Sequence, residues 1–294
     1  MKPSKRRELF AAYSYLAPTI ALLIILMAVP IGMVVWYSLQ DNVITNPEPR
    51  FVGLEHYVEI LTDPKFHHAI ANTGIFIGLC VLAHIIIGLA FALLLNTNVL
   101  PGWVKGIFRA IFVLPWLLTV AIVAVLWRLI LYPSGILNYL LESVGLIDGP
   151  TEWLSDPKLA LFAVVMIHIW RGYPFFMISL LAGLQGISPD LYEASSVDGA
   201  GAIRRFFSVT LPQLRPILIS MALLDLIWTS HEFTLIWMTT GGGPLDRTEM
   251  LSTYTYKFAF EQYQFASASA SAVLVLVASA VLALLYVRHQ KATG

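Results

Sequence analysis

Six stretches of mostly apolar residues, separated by short polar segments, dominate the sequence. A helix needs about 20 apolar residues to cross the hydrocarbon core of a bilayer. Hydrophobic residues make up 58% of the chain and charged residues only 12%, and a water-soluble fold could not cover so much apolar surface. The sequence therefore predicts an all-α membrane protein, with a single transmembrane domain over residues 1–294 and six helices at about 15–39, 69–95, 107–131, 159–184, 217–239 and 265–287.

The composition also excludes several classes of function. The chain has 18 basic and 18 acidic residues, so it lacks the basic excess typical of nucleic-acid binding. Cys80 is its one cysteine, which excludes an internal disulfide and a cysteine zinc cluster and predicts a small core residue. Neither a GxxxxGK[ST] phosphate loop nor an HExxH motif occurs. We therefore expect no catalytic residue, metal or cofactor in this chain.

The distribution of basic residues predicts the orientation. The first apolar stretch carries no charge from Leu9 to Gln40, far longer than the core of about 7–15 residues in a signal peptide, and predicts an uncleaved anchor. Of the 18 Lys and Arg residues, eleven fall on the N-terminal side of the membrane, six on the other side, and Arg171 within the fourth span. Cytoplasmic segments carry the Lys and Arg excess, so both termini are predicted to be cytoplasmic.

The cytoplasmic segment 188–216, between spans four and five, has the signals of a capped helix. Ser188 suits an N-cap and Pro189 the first helical position, and Gly199 can end the helix. A second short piece follows, and Leu211–Pro212 is expected to break it before span five. From the residues alone, this helix is equally compatible with lying on lipid headgroups and with docking a cytoplasmic partner.

Motifs in and beyond this segment resemble those of the permease subunits of binding-protein-dependent ATP-binding-cassette importers for carbohydrates. Glu193-Ala194-Ser195 with Asp198-Gly199-Ala200 resembles their EAA loop, with serine at the third position in place of alanine. The similarity covers most of the chain after Gly53 and is greatest to the maltose-transporter-like half of such heterodimers. It extends to Leu114-Pro115-Trp116, Trp170-Arg171-Gly172-Tyr173-Pro174, Thr210-Leu211-Pro212, Thr240-Gly241-Gly242-Gly243-Pro244 and Tyr256-Lys257-Phe258-Ala259-Phe260.

The resemblance implies a type I importer permease fold and a set of partners in the cytoplasmic (inner) membrane of a prokaryote. These partners are a second permease subunit, two ATPase subunits that bind ATP and Mg²⁺, and an extracytoplasmic solute-binding protein. In such importers the EAA helix sits in a groove of the ATPase. The resemblance thus assigns ATPase coupling to Tyr192, Glu193, Ala194, Ser195, Asp198, Gly199 and Ala200.

Spans four and five each carry a polar face inside the predicted membrane. His168 and Arg171 are three residues apart on one span, and Asp225 and Glu232 are seven apart on the other, so each pair shares a helical face. Either Arg171 pairs with a carboxylate and fastens the two spans, or the two faces bind a sugar. By the resemblance, the sugar-contacting positions are Trp116, Val120, His168, Arg171, Gly172, Phe175, Asp225, Thr229 and Glu232.

These positions are more charged than the maltose pattern, and Arg171 with His168 would suit a sugar that bears an anionic group. The leading hypothesis is a sugar-importer permease, a transport subunit that catalyses no bond chemistry. A proton-coupled secondary carrier, with Arg171, Asp225 and Glu232 as a relay, is the alternative from another class. We expect His84 to be a hydrogen-bonded bundle residue, and the Ala/Ser run 266–272 to be a small-residue packing face.

Overall fold

The computed structural model describes residues 5–97 and 99–293, and helices dominate it. In chain order they are α1 (Lys5–Leu23), α2 (Val29–Tyr37), α3 (Glu55–Thr62), α4 (Pro64–Asn96), α5 (Gly102–Leu117), α6 (Val120–Ile130), α7 (Ile136–Ser143), α8 (Ala160–Gln185), α9 (Pro189–Val197), α10 (Ala202–Arg205), α11 (Leu211–Ser230), α12 (Thr234–Thr239), α13 (Leu251–Phe260) and α14 (Phe265–Thr293).

Five helical stretches are long and apolar enough to cross a membrane, and they overlap five of the six predicted spans. The third predicted span, 107–131, is instead a bent pair, since α5 and α6 meet at 98°. Leu118 and Thr119, between them, have extended backbone. Pro115 in the last turn of α5 lacks the N–H that would bond to the Ile111 carbonyl, which weakens this end of the helix. The five continuous stretches are Tyr13–Tyr37, Pro64–Asn96, Ala160–Gln185, Ala202–Ser230 and Phe265–Arg288.

A π-helical turn at Phe206–Thr210 joins α10 to α11 of the fifth span. Pro212 lies two residues after the turn, and a proline ring clashes with the carbonyl four residues before it in a regular α-helix. The wider π turn accommodates the ring without ending the helix. The predicted break before span five is therefore wrong, because the helix is continuous over Ala202–Ser230. A π turn at Ile24–Ala28 precedes Pro30 in the first span in the same way.

The fifth predicted span, 217–239, is interrupted near its C-terminal end. His231–Phe233 leave the helix between α11 and α12. The Glu232 carboxylate accepts a hydrogen bond from the Leu235 N–H at 2.9 Å, which satisfies one of the N–H groups left unpaired at the start of α12. A residue predicted to face solute thus also caps a helix.

The chain forms two compact units, one of which comprises the chain up to Asp63 with Thr255–Val277. Within it, Nδ1 of His56 is 3.2 Å from the hydroxyl of Ser267 on α14. The alternating Ala and Ser side chains at 266–271 are buried. Close packing of this run agrees with the small-residue face expected from the sequence.

The other unit comprises Pro64–Tyr254 with the chain from Ala278, and in it α4 packs along α8. Gly88 on α4 makes this crossing close, because an added Cβ would overlap the Cβ of Phe176 and lie 3.0 Å from the Met177 backbone nitrogen. Fully buried side chains flank the crossing, and Cys80 is among them as expected: Phe76, Cys80, Val164, Ile167, Leu180 and Leu214.

We predict that Gly88→Ala destabilises the protein, because the new methyl group forces α4 away from the α8 backbone. Overpacking of this kind costs about 1–3 kcal/mol, and the melting temperature of the purified protein in detergent should fall. Gly78→Ala on the same helix is the control, since nothing lies within 4 Å of its added Cβ. Equal melting temperatures for the two variants would contradict the close crossing.

Candidate functional site

A buried contact between a histidine and a carboxylate lies inside the second unit. Nδ1 of His84 on α4 is 2.8 Å from Oδ2 of Asp225 on α11, and Nε2 of His84 is 3.3 Å from the main-chain carbonyl of His168 on α8. His84 is 1% exposed and Asp225 7%. The two ring nitrogens of His84 thus lie within hydrogen-bond distance of groups on α11 and α8, so this side chain joins three helices.

Two further residues predicted to bind solute, Thr229 and Gly172, adjoin this contact. The hydroxyl of Thr229, which is buried, donates to Oδ1 of Asp225 at 3.3 Å. Gly172 on α8 faces the His84 ring, and a Cβ there would overlap the imidazole. The expected hydrogen bonding of His84 is confirmed. Its partner Asp225 was not foreseen, although a histidine inside an apolar span requires a polar partner.

A second histidine and carboxylate lie next to the first. Nε2 of His168 is 3.7 Å from Oε2 of Glu232, and its ring centre is 5.4 Å from that of His84 and 5.0 Å from that of Phe76. The Glu232 carboxylate is also held by α12, as described above. Nδ1 of His168 is buried and makes no hydrogen bond to the described residues.

Arg171 lies one turn after His168 on α8, yet no ion pair among the described residues joins it to Asp225 or Glu232. The carboxylates contact the two histidines instead. The structural alternative, in which Arg171 fastens spans four and five, is therefore not observed. Nε of Arg171 is buried without a hydrogen-bond partner in the described chain. A buried donor left unpaired is costly, and the described residues supply no acceptor for this nitrogen.

An aromatic row crosses three helices beside this cluster. The Phe175 ring centre is 6.0 Å from that of Trp116 on α5 and 5.5 Å from that of Trp228 on α11. The tryptophans keep 41% and 54% of their surfaces exposed. Sequence reasoning missed Trp228, although its place three residues after Asp225 puts it beside the polar face. Val120, in contrast, packs against the apolar core at the start of α6.

Helix α9 has the local structure that the sequence predicts. The Ser188 hydroxyl accepts a hydrogen bond from the Asp190 N–H at 3.3 Å. At the other end Gly199 has φ of +75°, and its N–H and the following one donate to the carbonyls of Ser196 and Ser195, each at 3.0 Å. These two bonds form a Schellman motif. The ends of this helix are therefore set by local sequence.

The predicted coupling residues divide between two sides of α9. Oη of Tyr192 is 3.0 Å from the hydroxyl of Thr210 in the π turn, which connects α9 to the helix of span five. Ser195 donates back to the Tyr192 carbonyl at 2.9 Å. The exposed residues are Glu193, Ala194, Asp198 and Gly199, whereas Tyr192, Ser195 and Ala200 are partly buried.

Residues 84–293 match the family of binding-protein-dependent transport system inner membrane components. This match covers more than half of the chain and includes the buried cluster and α9. The chain belongs to this family. It is a multi-pass permease subunit of an ATP-binding-cassette importer in the inner membrane, and a transport component rather than an enzyme.

Relatives and solved structures support the same assignment. The chain is 38% identical over 249 residues to the trehalose/maltose transport system permease protein MalF of Thermococcus litoralis, covering 84% of this chain and 83% of that protein. It is 34% identical over 241 residues to the sulfoquinovosyl glycerol transport system permease protein SmoG of Agrobacterium fabrum, covering 81% and 77%.

A crystal structure of a bacterial ABC transporter for import of the acidic polysaccharide alginate contains a chain of the same fold. Its TM-score is 0.83 at 25% identity, with 98% of each chain covered. This agreement confirms the expected all-α type I importer permease fold. The proton-coupled carrier, the alternative from the sequence, has no support in these comparisons.

We predict that His84 and Asp225 are energetically coupled. His84→Ala and Asp225→Ala should each lower the free energy of unfolding, because each leaves its partner buried and unpaired. The loss of unfolding free energy in the double variant should be smaller than the sum of the two single losses, by about 0.5–3 kcal/mol. Unfolding in detergent of the wild type, both single variants and the double variant measures this difference. His84→Ala with Asp190→Ala, a pair without contact, should be additive, and additivity in the first pair too would contradict the coupling.

Proposed function

We propose that this permease takes part in ATP-driven uptake of a sugar derivative that bears an anionic group. The single observation that carries the proposal is the buried Nε of Arg171, which has no acceptor among the described residues. A charge within the bilayer costs about 2.5–3.5 kcal/mol on insertion scales, so an uncompensated guanidinium favours a function over a structural role. The nearby carboxylates are held by His84 and His168, which leaves the guanidinium to a ligand.

The surroundings of Arg171 suit a sugar ring. Phe175, one helical turn away, stands in the aromatic row with Trp116 and Trp228, and aromatic faces can cover the C–H surface of a sugar. Glu232 and the unpaired Nδ1 of His168 add groups for hydroxyl hydrogen bonds. The solutes named for the relatives are consistent with this chemistry, since trehalose and maltose are sugars, alginate is acidic and sulfoquinovose carries a sulfonate.

The proposed solute site has a core and a supporting part. In the core, Arg171, His168, Glu232, Phe175 and Trp116 would touch the solute. Asp225, Thr229 and Gly172 would act through the His84 contact that holds the helices in place. Val120 would border the site from the start of α6.

The proposal includes the partners that the family description implies. An extracytoplasmic binding protein would deliver the solute, a second permease would complete the path, and two ATPase subunits would bind ATP and Mg²⁺. Both termini and α9 would be cytoplasmic. The exposed side of α9, with Glu193 and Asp198, would sit in the ATPase groove, and the contact of Tyr192 with Thr210 would pass its movement to α11.

We predict that Arg171→Ala abolishes uptake while the complex still assembles, because the variant loses the anion-binding group but no internal ion pair. Uptake by proteoliposomes and co-purification of the partner subunits measure the two effects. Arg171→Lys should retain part of the uptake, since the charge remains but the planar fork is lost. Arg50→Ala, in an exposed loop, is the control. Wild-type uptake by Arg171→Ala would refute the site.

We predict that Glu193→Lys uncouples ATP hydrolysis from transport, because it reverses a charge on the exposed side of α9 without disturbing the caps. The measurement is the ratio of solute moved to ATP hydrolysed in proteoliposomes. Glu48→Lys, the same reversal in an exposed loop before α3, should leave the ratio unchanged. An unchanged ratio in Glu193→Lys as well would contradict the coupling role of α9.

A further inference from the structure

A cavity of about 480 Å³ lies where α6 and α12 end, and Arg171 is not among its lining residues. Its wall includes Arg128 from the last turn of α6, Thr239 from the end of α12, and the connecting segments on either side of α7. Cavities of about 300–1,000 Å³ are typical of small-molecule sites. Of its lining residues, the sequence analysis named Thr240, Gly243 and Pro244, as part of a motif shared with carbohydrate permeases. The side chains that carry the argument are Arg128, Tyr132, Glu152, Trp153, Ser155 and Thr239.

One buried side chain holds two walls of this cavity. Asn138 on α7 is 1% exposed, and its amide group donates to the main-chain carbonyls of Tyr132 and Thr151 at 3.2 and 2.9 Å. Its oxygen accepts from Nε1 of Trp153 at 2.9 Å. The Trp153 ring and the backbone at Tyr132 are therefore fixed before any ligand arrives, which lowers the entropic cost of binding.

Hydrogen bonds also hold the opposite wall of the cavity. The hydroxyl groups of Thr240 and Thr248 are 2.6 Å apart, and Thr248 donates to the Gly243 carbonyl at 2.6 Å. Nη1 of Arg128 donates to the Met238 carbonyl at 3.3 Å, which connects the end of α6 to α12. Hydrogen bonds within the chain thus hold both walls of the cavity in place.

The chemistry of the lining indicates the kind of ligand. Trp153 and Tyr132 offer ring surfaces, the remaining Arg128 nitrogens donate, and the Glu152 carboxylate accepts. Ser155 adds a hydroxyl group that can donate or accept, and the Thr239 hydroxyl, which donates to the Leu235 carbonyl at 2.6 Å, can accept. Ring faces beside donors and acceptors match the alternating C–H and hydroxyl surface of a sugar, whereas a lipid chain would need a purely apolar lining.

We propose that this cavity is a second saccharide subsite, which binds sugar units beyond the one held at Arg171. The inference rests on the proposed function. Helix α12 connects the two places, because it starts beside Glu232 and ends at Thr239 in the cavity wall. Its six residues span about 9 Å at 1.5 Å per residue. An oligosaccharide extending from Arg171 toward the extracytoplasmic side, in the proposed orientation, would therefore reach it.

The experiment compares short and long sugars in the reconstituted complex with its binding protein. Uptake is measured for two series, maltose against maltotetraose, and the disaccharide against the tetrasaccharide of alginate. Trp153→Ala should raise the half-saturating concentration of the tetrasaccharide about tenfold, as expected for loss of one aromatic contact, and leave that of the disaccharide within twofold. Glu152→Gln, on an exposed side chain, should raise the half-saturating concentration of the tetrasaccharide at least threefold.

Controls separate the possible outcomes. Trp103→Ala and Glu142→Gln, at exposed positions outside the cavity, should leave the half-saturating concentrations of both sugar lengths unchanged. In another outcome, the half-saturating concentration rises equally for both sugar lengths, with weaker binding of the solute-binding protein. That outcome would mean that the cavity accommodates a loop of that protein, and it would overturn the subsite. Unchanged tetrasaccharide uptake in both cavity variants would also overturn it. Arg171→Ala should abolish uptake of both sugar lengths. If the wild type imports neither series, the saccharide assignment itself is refuted.

Discussion

The contact between His84 and Asp225 is the interaction on which the arrangement of the second unit depends. Neither side chain can remain unpaired inside a membrane without a large cost, and the bonds of His84 reach α8 and α11 at once. The contact is possible only because α8 presents Gly172 to the imidazole and α4 presents Gly88 to the α8 backbone. Small residues thus bring the helices close enough for the polar groups to satisfy one another.

This arrangement separates two groups of polar side chains. The histidines engage both carboxylates, and no ion pair within the described residues includes Arg171. Had Arg171 paired with Asp225, the same residues would have formed a purely structural junction. The internal contact is instead centred on His84, apart from Arg171 and the aromatic row, which the proposed solute site would use.

The same helix connects the cluster to α9. The π turn beside Pro212 keeps Ala202–Ser230 continuous, and Tyr192 of α9 contacts Thr210 within that turn. A displacement of α9 would therefore act directly on the helix that carries Asp225 and Trp228. A break at the proline, as the sequence predicted, would have left a loop between α9 and the part of the chain that carries Asp225.

Features that depend on local chemistry could be predicted from the amino-acid sequence alone. These are the long apolar stretches that form the spans, and the Ser188 cap and Gly199 turn at the two ends of α9. The motifs of the sequence likewise sufficed to recognise the family. Only the tertiary structure decided the bend between α5 and α6, the contact of His84 with Asp225, the place of Trp228 and the unpaired state of Arg171 Nε. Helical spacing shows which residues share a face, but which face meets which neighbour depends on how closely the helices approach, and that distance is set by packing of residues far apart in the chain.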